Sequence, residues 1–339
     1  MSESRIGPRS ERRPTPAEAV PARPLDTPRL IGGVRSRAGW RIQSSPQVKP
    51  APPTGIPRRR HPARRAALRH EPSQPGRMDP MDALAAARLA LLLLVVAVLV
   101  WRGVLKDRQE YARFRRLHST EARQKVYRRW LLEGFGVFAG LTALILLAVG
   151  SEVGRMLDAL RAAPPVSLLL PRLDGGLGAG LGIGLSVAFL AGLLLPAVLL
   201  RGKVDEIPAI GDVQALLPRN RRELGWGAGM SINAGVMEEL LFRLAVPTLL
   251  FAVLVDALAG SSDGPAALLA AGIAIVLFGA LHAYQGWRGA VMATVLGLVF
   301  FGLYAVTGMI WVPIVVHALF DLRSMVLLPI AIGGAWRAR

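Results

Sequence analysis

The 339-residue chain contains no cysteine. That excludes disulfides, thiolate metal ligands and a cysteine nucleophile, and with them one whole class of protease. Histidine is nearly as scarce, with five in total, and only His282 and His317 fall in the apolar half. Lysine supplies only 4 of the 41 basic residues, an arginine bias that points to a GC-rich bacterial source. Familiar catalytic patterns are missing as well. There is no His-Glu-x-x-His for a zinc protease helix, and Ser231 lacks the flanking glycines of a Gly-x-Ser-x-Gly elbow. Asp321 stands alone in its span region, so no pair of intramembrane aspartates exists. No internal repeat of the kind common in secondary transporters is evident.

What is abundant is apolar sequence. The composition is 52% hydrophobic with a mean hydropathy of +0.40, too apolar for an ordinary soluble protein. Crossing a bilayer takes ~20 residues, and runs of that order begin at about Leu84, Leu132, Gly176, Trp226, Ala266, Ala290 and Ile310. The stretch from Trp226 to Leu258 reads as one tilted helix or as two broken near Pro247. The expected fold is all-α, a polytopic membrane bundle of seven or eight transmembrane helices with a disordered N-terminal tail. Three parts follow: a tail over residues 1–80, N-terminal spans over 81–200, and spans carrying the polar cluster over 201–335. Between the first two spans, Tyr111, Phe114 and Leu117 recur every third residue in a basic segment, which predicts a helix lying on the anionic leaflet.

The net charge of +18 does not signal nucleic-acid binding. Residues 1–77 hold 17 Lys+Arg against 5 Asp+Glu, in a Pro/Arg-rich tail without apolar periodicity. Met78 and Met81 stand just before the first span, and translation is expected to start at one of them. A seven-span model then places the basic 102–130 and 201–222 connectors and the C-terminal end on the inner side. The localisation this implies is a bacterial inner membrane.

Against this apolar background the charges inside the spans stand out. Glu238 and Glu239 are adjacent, with Arg243 close behind. A carboxylate in hydrocarbon is costly, so chains carry one there mainly for a task. Glu239 and Arg243 are four residues apart, one above the other on a helix with the acid N-terminal, the better order for an ion pair. Glu238 is turned about 100° away from that pair. This predicts a salt bridge that orients the helix and a second glutamate facing a cavity as a base; the same three residues would also suit a purely structural network. Phe278 and His282, and likewise His317 and Asp321, are each four apart. The phenyl ring can pack beneath the imidazole, and the aspartate can bond to His317 or share a ligand with it. A lone intramembrane histidine often only satisfies an interhelical hydrogen bond; two, with no others among the spans, favour chemistry.

The three boxes, Glu238-Glu239-x-x-x-Arg243, Phe278-x-x-x-His282 and His317-x-x-x-Asp321, resemble those of the CPBP family. These are the CAAX-processing and bacteriocin-processing (Abi) intramembrane endopeptidases, related to the type II prenyl-CAAX protease. Leu217-Pro218-Arg219-Asn220, His282-Ala283-Tyr284-Gln285-Gly286 and Tyr304-x-x-Thr307-Gly308 match too, so that the resemblance covers roughly residues 205–325. It implies Glu238 as general base, His282 as its partner, and His317 with Asp321 stabilising the oxyanion. One position departs: eukaryotic members carry Asn where Asp321 stands, and an ionised Asp cannot donate to an oxyanion.

The expected activity is hydrolysis of a peptide bond at the membrane, on a membrane-associated peptide or protein, within the lipid bilayer and without nucleic acid. A non-proteolytic membrane protein that binds a peptide, of the bacteriocin self-immunity type, is the alternative. His282 and His317 with Glu238 or Asp321 could supply the three ligands of an open Zn2+ site. The carboxylate one turn from His317 and the repulsion between the adjacent glutamates both favour that metal. The same side chains also suffice for a site without one.

Overall fold

The computed structural model describes residues 80–332 apart from 165, 174, 204–206, 208–209 and 259–261. The tail expected to be disordered and the basic C-terminal end lie outside the described residues. Among the described residues every regular element is helical. In chain order these are α1 (Pro80–Val100), α2 (Asp107–Phe114), α3 (Thr120–Val149), α4 (Val153–Ala162), the single turn α5 (Val166–Leu169), α6 (Gly175–Leu199), α7 (Arg221–Glu239) and α8 (Val246–Ala257). They continue with α9 (Asp263–Leu281), α10 (Gly286–Thr307), α11 (Trp311–Leu322) and α12 (Leu328–Ile332).

Among the described residues, six continuous helical segments are long and apolar enough to cross a membrane, where seven or eight were expected. The protein is a multi-pass membrane protein. Asp263–Thr307, at 45 residues the longest of the six, is interrupted at His282–Gln285, where Gly286 takes φ +80°. Only glycine adopts that backbone conformation readily. The two arms, α9 and α10, then pack against each other. Apolar side chains face outward along α6, including Ile183, Leu185 and Val198, as a lipid-facing helix requires.

The stretch around Pro247 is one continuous helical run, Arg221–Ala257. Proline offers no N–H, and its ring collides with the carbonyl four residues back, here Arg243. The run accommodates it through a widened π-helical turn, Leu240–Ala245. Such turns are frequent at functional sites, and this one carries Arg243 and follows the glutamate pair directly. The core forms around α8 and the alanine face of α9. Leu249 and Phe251 are buried there against Ala266, Ala270 and Ala274, which recur one helical turn apart. Small residues at that spacing let helices approach closely.

The expectation of an interfacial helix bearing Tyr111 and Phe114 is corrected. Residues 81–114 form one helical run, and both rings are buried, Phe114 packing against Tyr127 and Trp130 of α3. Inward packing removes the rings from lipid and leaves the charged side of α2 outward. Arg123 of α3 then closes the connector onto the bundle. It pairs with Glu223 at 3.1 Å and donates to the carbonyls of Ala215 and Leu217, both charges being fully buried.

Close contact between α7 and α11 sets the distance across the site. A Cβ added at Gly235 would lie 2.8 Å from Ala318 Cβ and backbone N. Gly235→Ala should therefore push the two helices apart, costing about 1–3 kcal/mol as overpacking does. Thermal unfolding in detergent should show a lowered midpoint; an unchanged midpoint would mean the contact is slack.

Candidate functional site

The widened turn leaves Glu238 and Glu239 in different surroundings. Glu239 is fully buried, whereas the Glu238 side chain is 18% exposed and lines a cavity of about 640 Å³. His282, His317 and Asp321 line the same cavity, so residues from α7, α9 and α11 meet there.

His282 sits where α9 ends, and the last carbonyls of a helix lack intrahelical donors. Its Nδ1 meets the carbonyl oxygen of Phe278 at 2.8 Å. A carbonyl only accepts, so Nδ1 carries the hydrogen and donates; in the neutral ring Nε2 is then a lone pair. That Nε2 is 3.9 Å from Glu238 Oε2. The gap is too long for a hydrogen bond and suits a water bonded to both groups.

His317 has a different partner from the one its sequence spacing suggests. Its Nδ1 is 2.7 Å from Glu239 Oε1, while Asp321 Oδ2 is 3.7 Å from Nε2. Glu239 therefore orients this ring, and Asp321 stands off its cavity edge. Arg243 Nε lies 2.9 Å from the other Glu239 oxygen, out of hydrogen-bond alignment. Arg243, Glu239 and His317 thus form one buried row. The guanidinium stacks on aromatic faces, 4.3 Å from the Phe278 centroid and 5.5 Å from that of Phe300, which stabilises a desolvated cation. Phe278 also packs beneath His282 at 4.7 Å, and Phe300 stacks on His317 at 4.8 Å. One ring therefore seats both His282 and Arg243.

Among the described residues, no group of three or more His, Cys, Asp or Glu side chains is placed to hold a metal ion. In each imidazole Nδ1 is occupied, by the Phe278 carbonyl for His282 and by Glu239 for His317, while Nε2 faces Glu238 in the first and Asp321 in the second. No step below runs through a metal ion.

Several cavity residues were given no role by the sequence. Tyr284 lines the wall between His282 and Tyr111, its hydroxyl accepting from Gln285 Nε2 at 2.9 Å. Over the cavity lies the connector, with Val213 and Leu216 in its lining. Asp212 pins it: its N–H donates to the carbonyl of Gln285 at 2.8 Å, its own carbonyl accepts from the Tyr111 hydroxyl, and its carboxylate pairs with Arg115. Asn233 and Arg102 line the cavity as well.

Residues 220–323, under a third of the chain, match the family model described as Type II CAAX prenyl endopeptidase Rce1-like. That segment contains all three boxes and agrees with the CPBP resemblance read from them. Comparison with curated proteins and with solved structures found no match.

Proposed function

We propose that this protein is an intramembrane endopeptidase of the CAAX-protease type that adds a Glu238-activated water to a peptide bond. The observation that carries this reading is the 3.9 Å gap between Glu238 Oε2 and His282 Nε2 on the cavity wall. A water there donates one hydrogen to the carboxylate and one to the Nε2 lone pair, leaving an oxygen lone pair free to attack. Glu238 takes a proton as the carbon–oxygen bond forms and returns it to the departing amine as the carbon–nitrogen bond breaks. His317, bound through Nδ1–H to the Glu239 carboxylate, is stabilised as an imidazolium, so that Nε2–H donates to the oxyanion. Asp321 lies on that side as a countercharge rather than as a donor. Phe278 and Arg243 hold the two imidazoles and Glu239 in place.

Seven membrane passes complete the reading. A straight helix of 45 residues would extend about 68 Å at 1.5 Å per residue, over twice the ~30 Å hydrocarbon core. The α9–α10 segment, folded back at Gly286, therefore crosses twice. We place the protein in a bacterial inner membrane, with the basic connectors inward and a membrane-associated peptide as substrate. Proteomics of membrane fractions from cells carrying wild type or Glu238→Ala tests the activity. New C-terminal peptides that vanish in the variant are the expected result, and identical peptide sets would leave only peptide binding.

Zinc is decided by elemental analysis of detergent-purified wild type and His282→Ala, alongside activity after chelation and metal add-back. Because no group of three such side chains is placed for an ion among the described residues, the wild type should hold well under one zinc per chain and keep its activity. One equivalent, lost in His282→Ala together with activity, would restore the metal.

A further inference from the structure

The connector over the cavity is thin and unevenly held. Ile210 lines the cavity and is 57% exposed, and Asp212 two residues on is exposed as well. Residues 215–217 are tied to buried groups. Arg123, paired with Glu223, donates to the carbonyls of Ala215 and Leu217, and the Tyr127 hydroxyl donates to that of Leu216 at 2.8 Å. Residues 210–213 are held at Asp212, whose N–H donates to the Gln285 carbonyl at 2.8 Å and whose carbonyl accepts from the Tyr111 hydroxyl. Its carboxylate pairs with Arg115, but both side chains are nearly half exposed, and a solvated pair holds weakly. Beside it Gly211, at φ +86°, lies against the start of α10. A Cβ there would be 2.9 Å from Gly289 Cα and 3.0 Å from the Gln285 oxygen. No side chain fits between the two backbones. What this segment rests on is the turn His282–Gln285, which carries His282. Lifting it would uncover the cavity and release that turn in one movement.

We propose that residues 210–213 form a strap that opens to admit the peptide and, when seated, holds the His282 turn for catalysis. Segments that open locally are those with few buried contacts and exposed hydrogen bonds, which describes 210–213 and not the clasped 215–217. The hinge falls between the two, at Gln214. Tyr111 and Gly211 are positioning residues: the hydroxyl fastens the strap, and the missing side chain lets it seat. Seated, the strap keeps bulk water from the cavity and fixes the turn from outside, as closing loops do in other enzymes. Tyr111 and the strap lie outside the segment that matches the family model, so this device belongs to the chain's own N-terminal part and connector. The inference rests on the endopeptidase reading only in calling the entrant a substrate.

The absence of cysteine makes the opening measurable without hydrolysis. Met292→Cys places a single thiol on the cavity wall. Its labelling by a water-soluble maleimide, in the full chain purified in detergent, tracks the open population when reseating is fast. Tyr111→Phe keeps the buried ring and deletes only the donor to Asp212, so labelling should rise about twofold to tenfold, the worth of one hydrogen bond. Gly211→Ala should raise it about tenfold or more, because the added Cβ meets backbone and the positive φ is disfavoured. Asp212→Asn keeps both backbone bonds and loses only the exposed pair, so it should label close to the wild-type rate. Thr248→Cys, fully buried in α8, reports general loosening of the bundle and should stay unlabelled throughout. In the hydrolysing enzyme Gly211→Ala should lower kcat without raising KM, since entry is eased while the His282 turn is unheld. Should Gly211→Ala not accumulate, Tyr111→Phe carries the test. Met292→Cys labelling that is the same in wild type, Tyr111→Phe and Gly211→Ala, whether fast or slow, overturns the strap. A rise that Thr248→Cys shares also overturns it. Hydrolysis with labelling unmoved would defeat the strap and leave the function standing; the expected labelling without any hydrolysis would do the reverse.

Discussion

Glu238→Gln should reduce peptide release by ~10²–10⁴, the range that positioned acid–base catalysis contributes, while the protein still accumulates in the membrane. The two outcomes separate because of where this carboxylate sits. Among the described residues, Glu238 has no ion pair closer than its 3.9 Å contact to His282, and it faces the cavity. The amide is nearly isosteric and still polar, so the helix packing around it has no reason to change. What is lost is the acceptor for the water's proton and the acid that protonates the leaving amine. The measurement is release of a fluorescent fragment by purified wild type and variant at equal, unfolding-checked concentrations. Full activity in Glu238→Gln would remove the base from this position.

The variant also isolates what distinguishes the two adjacent glutamates. Both were visible in the sequence as an anomaly, a pair of carboxylates in an apolar run. The four-residue spacing from Glu239 to Arg243 was enough to predict their approach at 2.9 Å. Helical periodicity is local and survives folding. The contact between Glu239 and His317 was not legible, because 78 positions separate them and nothing in the spacing of either box refers to the other. Sequence instead favoured Asp321 as the partner of His317, one turn away on the same helix. The close approach of α11 to α7 decides otherwise, and a glycine at 235 and an alanine at 318 make that contact possible.

A similar divide runs through the fold. Long apolar runs marked the spans because lipid forces helices to satisfy their own backbone. The inward turn of Tyr111 and Phe114 was missed, since an aromatic stripe beside basic residues suits an interfacial helix and a buried one equally. Which occurs depends on Tyr127 and Trp130 of another helix. The Arg123–Glu223 clasp, 100 positions apart, was likewise hidden within segments that read only as charged connectors.

Arg243→Ala should be the most destabilising single change in the site. Removing the guanidinium leaves Glu239, fully buried, with the His317 imidazolium as its remaining countercharge and one oxygen unpaired, and breaking a buried pair from one side costs up to roughly 3–5 kcal/mol. The phenyl faces of Phe278 and Phe300 would also lose the cation packed on them. A lowered unfolding midpoint in detergent and reduced accumulation are expected together with lost activity. The double variant Glu239→Leu with Arg243→Leu makes the sharper comparison. Replacing both charges with apolar groups of similar size is often neutral for stability, so the double variant should recover most of the lost midpoint. It should not recover activity, because His317 Nδ1 then has no carboxylate to donate to, and the ring is neither oriented nor held as an imidazolium. Stability and catalysis would thus part at one residue pair. If Arg243→Ala instead unfolds at the wild-type temperature, the row is not holding Glu239, and Arg243 must be reassigned to contact with the substrate.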